Sequence, residues 1–464
     1  MRTPLSLIAG LAIFLTSQSA CSAEPGDEIP ARDIMAQLIA VNTAPSGGDD
    51  IRPAVALLVQ HLKDGGFEDQ DIAVLGHKEK LPNLVVRLRS KAPARKPILL
   101  MAHLDVVEAL PEDWTTDPFT MIEKDGYYYG RGTNDNKAGA AILIANLIRY
   151  KKEQQPFDRD LIVSLNADEE TTGDAIKWLL REHRDLVDAE FALNADGGPI
   201  LLVDGKPMAL LFDTSEKVYV SFTLEALDAG GHSSEPRPDS AISRLARALV
   251  DLQNHQFPID LNDTTRAFFS QWSLIAPPAD APLLAALSSD NPDPADLERL
   301  PDEYYYNALA RTTCVATQVN AGHAENALPQ SARAVVNCRV LPQASVVATR
   351  ATLEAIAAPY NVDILDMVPA TPSPPSPLDP QVLGPVTALA RSMWPGIAVI
   401  PEMENGATDG AYTRNAGIPT YAVSAVAREV DDYRAHGRDE RIGVEAFRDS
   451  SNFWYELVKT VSLP

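Results

Sequence analysis

The chain has 464 residues, 45% of them hydrophobic, with 40 basic against 64 acidic side chains and a net charge of −24. That length exceeds what one compact core fills, so two domains are expected, and the acidity argues against nucleic acid and anionic membrane as partners. With three cysteines, one of them near the amino terminus, a disulfide scaffold is excluded as the source of stability.

The chain opens on a segment with the form of an export signal. Arg2 supplies the positive end, Leu5 to Leu15 form an apolar run, and small residues follow at Ser19, Ala20, Ser22 and Ala23. The run is too short to span a bilayer as a helix, and no other apolar stretch is long enough, so no transmembrane segment is expected. A signal peptide over residues 1–23 and a periplasmic or secreted protein follow. Lipid attachment at Cys21 is the alternative to ordinary cleavage; Gln18 disfavours it, standing where a lipid-attachment box carries an aliphatic residue.

Beyond the leader, strand-length apolar runs alternate with helical patterns, the signature of an α/β domain with a largely parallel sheet. In chain order these are a helix at Ile51 to Lys63, a strand at Ile98 to Ala102, a helix at Lys137 to Tyr150, strands at Leu161 to Leu165 and Phe191 to Asn194 with a helix at Ala175 to His183 between them, a helix at Pro380 to Met393, a strand at Thr420 to Ala425 and a helix at Phe447 to Val461. Between about Ser215 and Met367 the pattern changes to alternating strands, such as Val218 to Leu227 and Val335 to Val340, with helices such as Ala241 to Asn254. This predicts an inserted α+β domain over residues 215–368, dividing a catalytic domain into residues 24–214 and 369–464. Within the insert, Gln256 to Arg311 shows no clear period. The proline-rich run Thr371 to Pro377 predicts an extended connection rather than packed structure. Cys314 and Cys338 fall on apparent strands, Thr312 to Val319 and Ala332 to Val340, and a hairpin sets them roughly opposite each other. A disulfide and a pair of buried thiols both remain open.

The residues that carry chemistry sit at the ends of these strands. His103 and Asp105 follow Ile98 to Ala102, with imidazole and carboxylate two residues apart on extended chain. Asp168-Glu169-Glu170 follows the next strand, Asp196-Gly197-Gly198 the one after it, and His436 lies shortly beyond a fourth. In open α/β sheets, ligands bind at the carboxyl ends of the strands, where these groups would converge. Asp135 lies in the turn Gly130-Arg131-Gly132-Thr133-Asn134-Asp135-Asn136-Lys137, which opens a helix. The turn lacks the Walker order of a phosphate cradle and reads either as a rigidly held carboxylate or as a helix cap.

Taken with Trp114, Asp117-Pro118-Phe119, Gly231-His232-Ser233-Ser234, Asn326-Ala327-Leu328-Pro329, Arg339 and Ala435-His436-Gly437, these motifs resemble, over nearly the whole mature chain, the zinc-dependent exopeptidase family. That family includes aminoacylases, carnosine-type dipeptidases, carboxypeptidase S and glutamate carboxypeptidases. The resemblance implies a di-zinc catalytic domain with a mostly parallel mixed sheet and an inserted α+β lid or dimerisation domain. It implies two zinc ions per chain, with cobalt or manganese as possible substitutes. His103, Asp135 and Asp196 would bind one ion and Asp135, Glu170 and His436 the other. Asp105 would orient His103, and Glu169 would be the general base that takes a proton from a metal-activated water.

The same resemblance assigns His232 to the oxyanion, reaching from the lid of a homodimer partner. It assigns Arg339 and Asn326 to substrate binding, and Thr408, in the glycine-rich Gly406-Ala407-Thr408-Asp409-Gly410, to the same end of the substrate. The function implied is a secreted carboxypeptidase or dipeptidase cutting an amide bond beside a free carboxylate, with an N-acyl amino acid hydrolase as the alternative. Aspartate rather than glutamate at position 196 tilts the expectation towards peptides. His61, His77, His183 and His255 fall outside the motifs and are expected to face solvent, while His323 stays open.

Overall fold

A computed structural model of the chain describes residues 29–289, 292–366 and 370–463, so the leader and Cys21 lie outside the described residues. Among the described residues no helix is long and apolar enough to cross a membrane.

The fold is α/β, as expected. A ten-stranded mixed sheet runs in the order Ile72–Leu75, Asn83–Leu88, Leu161–Asn166, Ile98–His103, Ala192–Asn194, Thr420–Ala422, Lys206–Glu216, Ile200–Val203, Ala427–Glu429, and Ala398–Glu404 pairs with Lys206–Glu216 off this path. Its centre is parallel: Ile98–His103 runs with both Leu161–Asn166 and Ala192–Asn194, and Thr420–Ala422 runs with Ala192–Asn194. Every residue of Ile98–His103 and Leu161–Asn166 is buried. That is the consequence of helices on both faces, and the reason these strands read in sequence as unbroken apolar runs. Ile98, Leu100 and Ala102 face one core with Ile144 and Leu147 of the helix Lys137–Glu153, and Leu99 and Met101 face another with Ile176 and Leu179 of Asp174–Glu182.

A second sheet, in the order Thr313–Ala321, Ser331–Val340, Val218–Leu227, Asp363–Asp366, is antiparallel and covered on one face. Burial alternates along Ser331–Val340, with Ala332, Ala334, Val336, Cys338 and Val340 packed towards the helices Ala241–Asn254 and Val346–Ala357. Cys314 and Cys338 are direct cross-strand partners and form a disulfide. Of the two options the sequence left open, the hairpin register selects this one.

Three features differ from the sequence reading. The aperiodic segment Gln256 to Arg311 folds as short helices, Asp263–Trp272, Ala281–Ser288 and Tyr304–Ala310. They pack Phe268, Phe269, Trp272 and Leu309 against Leu211, Ile400 and Met403 of the large sheet, not against the second one. Helices this short show too few turns for a clear period; the local signal that was present is the capping box in which Asn262 accepts from the Thr265 amide and Thr265 accepts from the Asn262 amide.

The proline-rich run is extended but packed. Ser373 and Ser376 are each 4% exposed, the Ser376 amide donates to the Thr214 carbonyl at 2.7 Å, and its hydroxyl donates to the Thr420 carbonyl at 2.7 Å. Proline fixes an extended backbone without deciding what lies beside it. The four histidines are only partly exposed: His61 meets Gln37 at the surface, His183 packs on Trp178, His255 lies edge-on to Phe257, and both ring nitrogens of His77 are buried.

Where the chain leaves the large sheet for the second one, Lys217 is 1% exposed and its Nζ donates to the Arg311 carbonyl at 2.8 Å. Burial, with the nearby charge of Arg339, pushes its pKa from the ordinary 10.5 down to about 7. The unfolded chain therefore binds more protons than the folded one between those values. Stability from this group rises with pH across that window, by up to about 1.4 kcal/mol per pH unit. Denaturant melts between pH 7 and 10 are expected to show a shallower rise for Lys217→Met than for the parent; equal slopes would mean that Lys217 keeps its charge in the folded protein.

Candidate metal centre

His103 is the last residue of its strand and is 1% exposed. Its Nδ1 donates to the Asp105 main-chain carbonyl at 2.9 Å, which leaves Nε2 with the lone pair, 2.9 Å from Asp135 Oδ1 and 3.8 Å from Asp196 Oδ2. The resemblance implies that Asp105 orients His103 through the other ring nitrogen. The chain turns at the strand end, so the nearest Asp105 oxygen is the carbonyl, and the carboxylate, 3.5 Å from Nδ1, instead accepts the main-chain amides of Glu169 and Glu170 at 3.1 and 2.9 Å. One residue thereby fixes both a histidine and the adjacent acidic turn.

Asp135 is held by a residue that the sequence reading did not single out. Glu440 is fully buried, ion-paired to Arg131 at 2.6 Å, and accepts the amides of Gly132, Asn134 and Asp135. The small sheet of Tyr127–Tyr129 and Arg441–Gly443 brings the two segments side by side, so the Asp135 turn and the His436 loop are sewn together. In sequence Glu440 is one charge in Arg438-Asp439-Glu440-Arg441 and reads as surface; only its spacing of four residues from His436 hinted otherwise.

His436 places Nε2 3.1 Å from Asp135 Oδ2 and 3.0 Å from Glu170 Oε2. Donor atoms of His103, Asp135 and Asp196 lie within 4.8 Å of one another, as do those of Asp135, Glu170 and His436, with Asp135 common to both groups; His103, Glu169 and Glu170 form a third such grouping. Hydrogen bonds donated to Asp135 and Glu170 push His436 up to about 10. Burial, with repulsion from Asp135, pushes Asp196 up to about 8. Burial works against Asp135, yet the two imidazoles hold it below the ordinary carboxylate range. Burial pushes Glu169 well above that range against the pull of His103, with Asp196, Asp409 and Glu170 adding repulsion.

This donor set fits divalent metal. Each Asp135-sharing group offers one imidazole and two carboxylates, the three protein ligands of a catalytic zinc site. The carboxylates crowd into a space where they repel one another, and Glu170 Oε1 is buried with no hydrogen-bond partner among the described residues. A cation answers both.

The cluster forms one end of a cavity of about 550 Å³. Glu169 and Thr408 line it, the Thr408 hydroxyl donating to Glu216 Oε2 at 2.9 Å. Leu201, Leu211, Val430 and, from the short helices, Trp272 and Tyr305 make an apolar wall. His232, Asn326 and Arg339 do not reach it in this chain. His232 and Asn326 are exposed on and beside the strand pair Gly231–His232 with Ala327–Leu328, and Arg339 stacks over Tyr219 on the second sheet at 4.7 Å.

A parallel-centred α/β sheet with imidazoles and carboxylates gathered at its strand ends defines a metal-dependent hydrolase. The model of peptidase family M20/M25/M40 matches residues 99–460, and the chain belongs to that family. Among its relatives, human N-fatty-acyl-amino acid synthase/hydrolase PM20D1 is 30% identical over 389 residues, covering 80% of this chain and 75% of that protein. The probable carboxypeptidase S-like 2 of Dictyostelium discoideum is 28% identical over 405 residues, covering 81% and 74%. The fold matches the M20 family metallo-carboxypeptidase Sso-CP2 from Sulfolobus solfataricus with a TM-score of 0.71 at 14% identity over 93% of this chain and 99% of that one. It matches human carnosine dipeptidase 1 with a TM-score of 0.65 at 15% identity over 93% and 95%.

Proposed function

We propose that the protein is an exported exopeptidase that hydrolyses an amide bond beside a free carboxylate, in the manner of a carboxypeptidase or dipeptidase. The observation that carries this reading is Glu169, whose carboxyl lines the cavity beside the donor cluster and makes no side-chain hydrogen bond among the described residues. His103, Asp135 and Asp196 would hold one zinc ion and Asp135, Glu170 and His436 a second. Zinc bound there would supply Lewis acidity towards the amide carbonyl and towards a water. Glu169 takes a proton from the attacking water and returns it to the departing nitrogen. Asp105 and Glu440 keep the donors in place, and Thr408 lies where it can meet the substrate. Residues 24–214 and 369–464 form the catalytic domain and residues 215–368 the insert. Through it two chains pair, so that His232, Asn326 and Arg339 of one serve the cavity of the other.

N-acyl amino acids are the second reading, favoured by the apolar wall of Leu201, Leu211, Trp272 and Val430 and by the activity printed in the name of the human relative. Hydrolysis of a panel of dipeptides and N-acyl amino acids is expected to vanish on chelation and return with zinc. Peptides are expected to be turned over faster, and a preference for acyl substrates beyond about tenfold in kcat/KM would reverse the ranking. Turnover that survives exhaustive chelation would overturn the mechanism.

A further inference from the structure

Six carboxyl-bearing side chains line the cavity, Asp135, Glu169, Glu170, Asp196, Glu402 and Glu404, against a single guanidinium and no ammonium. The guanidinium belongs to Arg428, on the edge strand Ala427–Glu429, where it is the register partner of Leu201 in the cavity's apolar wall. It is half-buried, stacks over the Tyr433 ring at 4.5 Å and reaches the Glu429 carbonyl only at 3.5 Å.

Arginines close by are all occupied. Arg131 is paired with Glu440, Arg414 with Glu216, and Arg434 and Arg441 with Asp432. Arg428 alone of this group forms no salt bridge among the described residues. Of the cavity's carboxyl groups, Glu402 lies close enough to feel the Arg428 charge but accepts the Tyr305 hydroxyl, and Glu404 accepts the Gly406 amide at 2.8 Å. Burial, with repulsion from Glu404, pushes Glu402 up to about 8 against the Tyr305 bond and the charge of Arg428, which lowers the negative charge it offers Arg428. Arg428 thus lines the cavity with a planar five-donor fork that no carboxylate of the described residues pairs in a salt bridge. A carboxylate meets that fork with two parallel, charge-assisted hydrogen bonds.

We propose that Arg428 binds a carboxylate of the substrate. The assignment rests on the functional reading above, in which the substrate carries a free carboxylate, and it gives Arg428 the anchoring role within the chain's own cavity, where Arg339 is absent. Two sources of that carboxylate fit: the α-carboxylate of the released amino acid, or an acid at the far end of the acyl half.

The test measures kcat/KM of the zinc-loaded protein for an N-acyl amino acid against its carboxamide, and for an acid-ended acyl group against a neutral one of equal length. Arg428→Gln is compared with the parent after melting temperature and metal content are matched. If Arg428 holds the α-carboxylate, the preference for acid over carboxamide shrinks by about 10- to 100-fold in the variant. If it holds the distal acid, the second preference shrinks instead and the first stands. Either result supports the proposal and names the source. Arg428→Lys keeps the charge without the fork, is expected to lose part of the same preference, and gives the same readout should the glutamine variant not fold. A parent with preferences that both variants retain, or that only Arg339→Gln abolishes, overturns the role of Arg428 alone. A parent with no preference for a carboxylate at either position overturns the functional reading itself.

Discussion

Replacing Glu169 with glutamine is expected to lower kcat by about a hundred- to ten-thousand-fold while metal content stays at the parent level. The substitution keeps the size of the side chain and removes its ability to take a proton. Its neighbour Glu170 remains to meet His436, and the Asp105 bonds to both main-chain amides do not involve the Glu169 side chain. The experiment also decides between the ion groupings, because His103, Glu169 and Glu170 are close enough to form a site of their own. If Glu169 were a donor there, metal would leave with the carboxylate, and activity and ion content would fall together. Metal content by atomic emission, measured on the same sample as kcat, separates the two cases.

Asp135→Ala should do the opposite and empty the centre. Asp135 belongs to both groups and touches an imidazole from each, at 2.9 Å to His103 and 3.1 Å to His436. Losing an outer partner of a metal ligand already costs about 10- to 100-fold in affinity, so losing a shared donor should exceed that at both positions. Asp196→Ala, which touches one group, is the comparison. Zinc titration of the two variants should find two weakened sites in the first and one in the second. Equal losses in both would mean that Asp135 is not shared.

The donors were legible because each follows a feature that sequence displays. His103, Glu170 and Asp196 stand at or just past the ends of apolar strands, and Asp135 lies in a glycine-rich turn, so local pattern and the geometry of parallel sheets suffice to bring them near one another. What holds the donors was not legible. Glu440 meets the Asp135 turn from some three hundred positions along the chain, and nothing local marks an acid flanked by Asp439 and Arg441 as buried. The cavity's far wall was hidden for a similar reason: Trp272 and Tyr305 lie on short helices whose destination, the face of Lys206–Glu216 and Ala398–Glu404, is set by tertiary packing. Arg428 carries no motif at all, and its interest lies only in what surrounds it.

The seam of the large sheet has a further consequence for how the molecule is made. Thr420–Ala422 is three residues long, yet it joins the half ending at Ala192–Asn194 to the half beginning at Lys206–Glu216. Both neighbours leave the ribosome long before it does, and His436 follows it. A nascent or truncated chain that stops short of Thr420 carries two raw sheet edges, open to pairing with other chains, beside a donor cluster still missing a histidine. Closing the sheet and completing the donor cluster are one late event, so a cation captured there would stabilise only chains that have been finished.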